Sequence, residues 1–263
     1  MSELVSVIMA AYNAEQYVEQ AISSLQRQTY VNIEIIVCDD HSTDSTFDII
    51  SKIAESDPRI KVIRNDKNLL AASARNKCLS LAKGKYIAIQ DADDLSRPDR
   101  IELLVKAIEE KPEYDFVSSD EALFDKDPDK PYRIVGHKKE PTKKSFLRGM
   151  CFCHAGTLFK RECLMRVGGY PVLANIRRHE DYLLFMILYS EGYRGFNVDE
   201  CLYFYRVDSE TLARRGIKSC LQECRIRAIG FRKMRLFLVG IPFLFIPVLA
   251  YFRSLFRKKE NGK

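Results

Sequence analysis

The strongest constraint on the fold lies in the first hundred residues, where short apolar runs rich in β-branched side chains alternate with stretches of helical periodicity. The runs are Val5–Ala10, Ile33–Cys38, Lys61–Arg64 and Tyr86–Gln90. Their spacing predicts a βαβαβαβ order, and hence an α/β, Rossmann-like, mostly parallel sheet flanked by helices. The first helix is expected over Ala14–Gln28, with Tyr17, Ala21, Ile22 and Leu25 on one face. A second is expected over Ser45–Glu55, after potential caps at Ser42, Thr43 and Asp44. A third runs over Ala71–Ala82, with Gly84 as its left-handed terminator. A fourth opens with Ser96 as N-cap and Pro98 in its first turn, and turns Ile101, Leu104, Val105 and Ile108 inward. Residues Asp125–Lys144 are polar, hold three prolines and read as a long mobile excursion, whereas Tyr182–Tyr189 predicts one more core helix.

A chain of 263 residues, 46% of them apolar, can build a full core, which excludes disordered and fibrous classes. Its net charge of +6 averages two opposite regions. Residues 1–205 hold 28 basic and 32 acidic side chains, and residues 206–263 hold 14 and 4. The predicted organisation is therefore a body over 1–210, with halves at 1–110 and 111–210, and a basic tail over 211–263. Within that tail Leu236–Phe252 is seventeen residues without a charge. Arg232, Lys233 and Arg235 precede it; Arg253, Arg257, Lys258 and Lys259 follow. Seventeen residues sit at the lower limit for crossing a hydrocarbon layer of about 30 Å. Pro242 and Pro247 interrupt the run, and basic flanks on both sides favour one cytoplasmic side for both. A re-entrant or interfacial membrane segment is thus expected ahead of a true span or a buried soluble helix.

The eight cysteines form no CxxC pair and read as buried thiols in a reducing compartment. The N-terminus enters a strand pattern directly, without the basic and apolar stretches of a secretory signal. Nucleic-acid binding is not expected, because the basic residues flank an apolar run instead of interleaving with aromatics on the acidic body.

Parallel sheets of this kind bind ligands beyond the carboxyl ends of their strands. Those ends read Ala10-Ala11-Tyr12-Asn13, Asp39-Asp40-His41-Ser42-Thr43-Asp44 and Asp91-Ala92-Asp93-Asp94. Carboxylates gathered on one edge repel each other and call for a cation or a donor-rich ligand. In an extended chain Asp91 and Asp93 share a face, a pair suited to a hard divalent ion that draws further oxygens from a diphosphate. Capping of the Ser96–Pro98 helix start by Asp93 or Asp94 is the simpler structural alternative.

These motifs resemble the nucleotide-binding half of a family 2 glycosyltransferase of the GT-A fold, of the bacterial surface-polysaccharide type. Val5-Ser6-Val7-Ile8 leads to Tyr12-Asn13, followed by Asp39-Asp40-x-Ser42-x-Asp44, Ala74-Arg75-Asn76 and Asp91-Ala92-Asp93-Asp94. Gly156-Thr157-Leu158-Phe159, Gly168-Gly169-Tyr170, Glu180-Asp181 and Tyr205-Arg206 fall in the order of that family's acceptor half. The resemblance spans residues 4 to about 210. It implies that Ala10, Ala11, Tyr12, Asn13, Asp39 and Asp40 surround the nucleotide, with Asp40 accepting from a uracil N–H and Arg75 near the same ring. It places Asp91 and Ala92 by the ribose, with Asp93, alongside Asp91, on Mn2+ or Mg2+. Arg206 becomes a phosphate partner, Asp181 the base of an inverting transfer, and Glu180 its support.

Two positions depart from the family pattern: Leu70 stands where a glycine is usual, and Asp208 where a histidine is frequent. The implied activity is hexose transfer from a nucleoside-diphosphate sugar, a UDP-sugar first, to a lipid-linked saccharide at the cytoplasmic face of the inner membrane. The products would be O-antigen, capsule, exopolysaccharide or other surface polysaccharide, including lipopolysaccharide. A nucleotidyltransferase would show a Gly-rich loop after the first strand, where this chain has Ala-Ala-Tyr-Asn. A nucleotide-sugar-binding protein with a decayed site would lack Asp93 and Asp181, and both are present. The absence of Trp argues against a polymerising synthase of the same family, whose Gln-x-x-Arg-Trp element needs one.

Overall fold

The computed structural model describes residues 2–174, 178–207 and 216–260, the stretch 254–260 as backbone only. Four strands, β1 (Val5–Ala11), β2 (Ile33–Asp39), β3 (Ile60–Arg64) and β4 (Tyr86–Asp91), form a parallel half-sheet in the order β3-β2-β1-β4. Side chains along β1 alternate between two cores: Ile8 faces one, while Val5, Val7, Met9 and Ala11 face the other. That is the period of two expected of a strand covered on both sides. Helices α1 (Val18–Gln26), α2 (Thr46–Ser56) and α4 (Arg100–Glu110) cover the second core. Helix α3 (Leu70–Leu81) covers the first.

Beyond β4 the sheet becomes mixed. β8 (Leu158–Lys160) runs antiparallel to both β4 and β6 (Phe116–Phe124); β9 (Gly195–Arg206) runs parallel to β6 and carries the short β5 (Leu95–Ser96) antiparallel on its other edge. Helix α5 (Arg161–Arg166) follows β8 directly. Helix α6 (Glu180–Ser190) buries seven of its eleven residues, among them the Tyr182–Met186 run, Leu188 and Tyr189. A helix apolar on every side belongs inside a core.

Several local expectations are corrected. Helix α1 starts at Val18, because Ala14 is spent on a turn whose N–H donates to Thr46 Oγ1 at 2.7 Å. Ser96 is a strand residue and Pro98 precedes the helix: α4 begins at Arg100, after β5 has paired with β9. Gly84 is not left-handed. Its role is close approach, since a Cβ there would stand 2.6 Å from the Ser6 amide nitrogen and 2.7 Å from the Leu4 carbonyl oxygen. The 125–144 excursion is tied down by β7 (Arg133–Val135), which pairs with β6, and by Asn197, which bonds the backbone of Lys138 and Lys139. A 3-10 turn, Lys143–Leu147, closes it with a reciprocal Thr142–Ser145 cap.

The tail begins inside the body. Helix α7 (Ile217–Lys233) packs Ile226 and Phe231 into the core that holds α6. The apolar run then forms α8 (Phe237–Gly240), a 3-10 turn at Ile241–Phe243 and α9 (Ile246–Glu260). No helix among the described residues is long and apolar enough to cross a membrane. Asp208 and the side chains of Arg257, Lys258 and Lys259 lie outside the described residues.

Candidate active site

The parallel half-sheet brings three strand ends together in register, Ala10 opposite Asp91 and Ala11 opposite Asp39. The loops that follow are stapled to one another. The Asn13 amide donates to Ser42 Oγ at 3.1 Å, and Asn13 Oδ1 accepts from the Thr43 amide at 2.9 Å. Asp44 accepts from the amides of Glu15 and Thr46. Asn13, Ser42 and Asp44 therefore shape the wall that the motif predicts to be nucleotide-binding, while Tyr12 projects 49% exposed beside it. Asp39 is fully buried, accepting from the Ser42 amide and pairing with Arg64 Nε at 3.1 Å. Asp40 is buried too, and its Oδ1 accepts from Asn65 Nδ2 at 2.7 Å and from the Leu69 amide at 2.9 Å.

The second acidic end is a turn, not the extended segment that would line up Asp91 and Asp93. The Asp94 amide reaches back to the Asp91 carbonyl, and Ala92 is buried in the bend. Asp94 caps no helix: its carboxylate accepts from the Arg206 amide at 2.7 Å and from the Tyr203 hydroxyl at 3.0 Å. Burial, then the charges of Asp93 and Asp91, push its carboxyl well above the usual range. The Arg206 guanidinium lies between the rings of Tyr17 and Phe124 and donates to the Asp93 carbonyl, the Asp125 carbonyl and Gln20 Oε1. It thereby fixes the Asp93 backbone from the end of β9.

The two halves of the chain meet at Arg75. Nη2 pairs with Asp91 at 2.7 Å and Nη1 with Glu180 at 2.9 Å. Burial opposes the Asp91 charge, yet the guanidinium holds its carboxyl below the ordinary value. The next residue zips the same junction, as Asn76 Nδ2 donates to the Tyr170 carbonyl and Asn76 Oδ1 accepts from the Tyr170 amide. Gly168 and Gly169 reach this contact at φ +79° and +75°, and a Cβ on Gly169 would stand 2.4 Å from Asn76 Oδ1. The Tyr170 hydroxyl meets His154 Nε2 at 2.8 Å. Burial first, and then the Arg75 charge, push His154 down to about 3, so its imidazole is neutral. His154, Tyr203 and the buried Arg100, which donates to the Ile89 and Ala155 carbonyls, complete the region. No motif named Tyr203 or Arg100 in advance; their only signal is proximity to Tyr205-Arg206 and to the acidic turn.

Glu180 and Asp181 head α6, and Asp181 Oδ1 accepts from the Tyr182 amide at 2.7 Å. Burial, then the neighbouring Glu180 charge, raise Asp181 to about 7. His179, just before them, is left-handed at φ +69°. Asn13, His41 and Leu70 share that conformation at φ +49°, +64° and +69°. Four of the five left-handed non-glycine residues among those described thus border the site, where backbone strain tends to collect. Leu70 lines a small cleft with Leu173, Leu183 and Glu180.

Glycosyl transferase family 2 is the family whose sequence model matches, over residues 6–168. EpsE of Bacillus subtilis (strain 168) is 35% identical over 249 residues, covering 94% of this chain and 89% of EpsE. The UDP-Glc:alpha-D-GlcNAc-diphosphoundecaprenol beta-1,3-glucosyltransferase WfaP of Escherichia coli is 33% identical over 231 residues, 88% of each chain. Among solved structures, S. aureus TarS 1-349 in complex with UDP-GlcNAc superposes with a TM-score of 0.71 at 20% identity, covering 90% of this chain and 72% of that one. The mannosyltransferase PcManGT of Pyrobaculum calidifontis, in complex with GDP-Man and Mn2+, gives 0.66 at 22% identity, covering 95% and 75%. With the GT-A sheet, the acidic strand ends and the Glu180-Asp181 helix start in place, the chain belongs to the family 2 glycosyltransferases.

Proposed function

We propose that this glycosyltransferase moves a hexose from a UDP-sugar to a hydroxyl of a lipid-diphosphate-linked saccharide, with inversion, in the synthesis of a surface polysaccharide. The observation that carries the reading is the Arg75 bridge, which puts the donor-side Asp91 and the acceptor-side Glu180-Asp181 pair into one site. Asp40, Tyr12 and the loops stapled by Asn13 hold the nucleotide, and Asp91 receives the ribose. The anomeric carbon then faces Asp181. The acceptor hydroxyl gives its proton to the Asp181 carboxylate as its oxygen attacks that carbon, and the bond from carbon to the diphosphate oxygen breaks. Glu180, held by Arg75, keeps Asp181 basic enough for the task. Arg206 positions Asp93 through its backbone. Asp91 is paired with Arg75, and Asp94 accepts from the Arg206 amide and the Tyr203 hydroxyl. Among the described residues no three Asp, Glu, His or Cys side chains gather to hold a metal on their own. Asp93 would therefore hold Mn2+ or Mg2+ only together with oxygens of the bound donor, where such an ion would neutralise charge on the departing diphosphate. Relatives with lipid-diphosphate acceptors, such as WfaP, and the basic apolar tail support a location at the cytoplasmic membrane face.

The test is a panel of UDP-, GDP- and TDP-sugars with a lipid-diphosphate acceptor, with and without Mn2+. Metal-dependent transfer from a UDP-sugar is expected, and no turnover with any donor would overturn the proposal. Asp181→Asn should still bind UDP but transfer nothing. Retained transfer would remove Asp181 from the base role.

A further inference from the structure

Fifteen large apolar side chains are exposed among the described residues, and six of them, Leu238, Val239, Ile241, Phe245, Leu249 and Phe252, fall in one stretch of the tail. Leu249 and Phe252 stand three apart on α9, and the carbonyl of Phe245 just before it accepts from the Leu249 amide at 3.0 Å, which places these three on one side of the helix. The opposite side is packed on the protein. Gly240 lies so close to the Phe231 ring that a Cβ would stand 2.3 Å from it, and Pro247 is buried. Arg227, 2% exposed, donates from Nη1 both to the Leu147 carbonyl in the body and to the Phe243 carbonyl in the tail. Its remaining donors go to Glu223. Cys224 also faces the Val248 backbone. Contacts from Arg227 to Phe243 and from Cys224 to Val248 mean that α9 runs back along α7, antiparallel to it.

The outward face is therefore held rigidly, and it is framed by charge. Arg232, Lys233 and Arg235 are exposed before it and Arg253 after it, within a region of 14 basic and 4 acidic residues. An apolar stripe bordered by exposed cations is the chemistry of a helix lying in an anionic bilayer surface. The direction of α9 adds a second point. It returns toward the start of α7, where Ser219 Oγ meets Nε2 of His179, the residue before Glu180 and Asp181.

We infer that the outer face of α8 and α9 is an in-plane binding surface for an anionic lipid bilayer, set so that it leads toward the acceptor side of the site. The inference deepens the proposed function and rests on it for the acceptor, because a substrate anchored in that bilayer would reach Asp181 along the α7–α9 side. It needs no spanning helix.

The experiment sediments the full chain with phosphatidylcholine vesicles, with and without phosphatidylglycerol, and compares it with Phe245→Ser/Leu249→Ser and with Arg232→Gln/Lys233→Gln/Arg235→Gln. Wild type should bind the phosphatidylglycerol vesicles and bind less as salt rises. Both variants should bind them about tenfold more weakly or worse, from lost apolar burial in one and lost charge attraction in the other. Each variant should keep wild-type transfer to a water-soluble acceptor analogue, which also shows that it folds. Equal vesicle binding by wild type and variants would overturn the inference. So would no vesicle binding by wild type, or a wild-type dimer in sedimentation velocity that the serine variant turns to monomer. If vesicle binding behaves as expected but no acceptor is glycosylated, the surface stands and the proposed acceptor falls.

Discussion

At the scale of single residues, Asp181 gives the clearest pH dependence. A carboxyl raised to about 7 is mostly protonated below that pH and cannot accept the acceptor's proton. Transfer should therefore fall about tenfold per pH unit below 7 and level off above it, so a flat profile between about pH 5.5 and 8 would contradict the role. Stability should respond with the opposite sign. The folded chain binds this proton more tightly than the unfolded chain, so ionisation of Asp181 works against folding as pH rises from the unfolded carboxylate range near about 4 toward 7. Asp181→Asn should match wild type near pH 4 and melt higher at pH 8. Leu70 offers a different test. A left-handed leucine is strained, and the strain is relieved by glycine but not by alanine. Leu70→Gly should be more stable than Leu70→Ala by about 1 kcal/mol in urea unfolding, the reverse of the usual helix ranking. Sequence patterns alone make the departure from glycine at Leu70 visible. They do not reveal that the backbone keeps the glycine conformation, because φ is set by the Asn65–Leu69 loop closing on Asp40.

At the scale of elements, the parallel half-sheet was legible because β1, β2 and β4 are buried on both faces and α1 and α2 show a periodic apolar stripe. The mixed half was not. β5 is two residues long and β8 three, and both exist through pairing with strands distant in sequence, so no local pattern marks them. The same reason moves the start of α4 from Ser96 to Arg100. Gly84 shows how a correct residue can carry a wrong explanation: the stop after α3 is real, but the glycine serves the passage of the chain against β1. Gly84→Ala should cost roughly 2–3 kcal/mol, since the new methyl meets backbone atoms of Leu4 and Ser6 that cannot swing aside. A loss below about 0.5 kcal/mol in the same unfolding assay would show that β1 can shift to admit it. The tail's apolar run stands out in the sequence, but the return of α9 along α7 depends on Arg227 and Gly240, whose partners no sequence pattern reveals.

At the scale of the whole molecule, charge and sheet pairing divide the chain differently. Charge separates an acidic body from a basic tail, whereas packing makes α7 part of the body and lays α8 and α9 over its surface, with Phe237, Phe243 and Leu244 against the core and Leu238, Val239, Phe245 and Leu249 outward. The divided motifs of the site become intelligible at this scale, because residues far apart in the chain share single interactions. Removal of residues 236–263 should therefore leave a folded enzyme that transfers to a soluble acceptor analogue and no longer sediments with phosphatidylglycerol vesicles. Removal from 217 onward should expose the α6 face and yield aggregated protein, which size-exclusion chromatography would show. The paired hydrogen bonds between Asn76 and Tyr170 also limit recombination. A chimera that joins residues 1–110 of this chain to the acceptor half of a relative will assemble its site only if the incoming half presents a backbone that Asn76 can grip and a carboxylate that Arg75 can reach. With the halves divided between donor and acceptor as proposed, their preferences are separable by shuffling only among partners that preserve this seam.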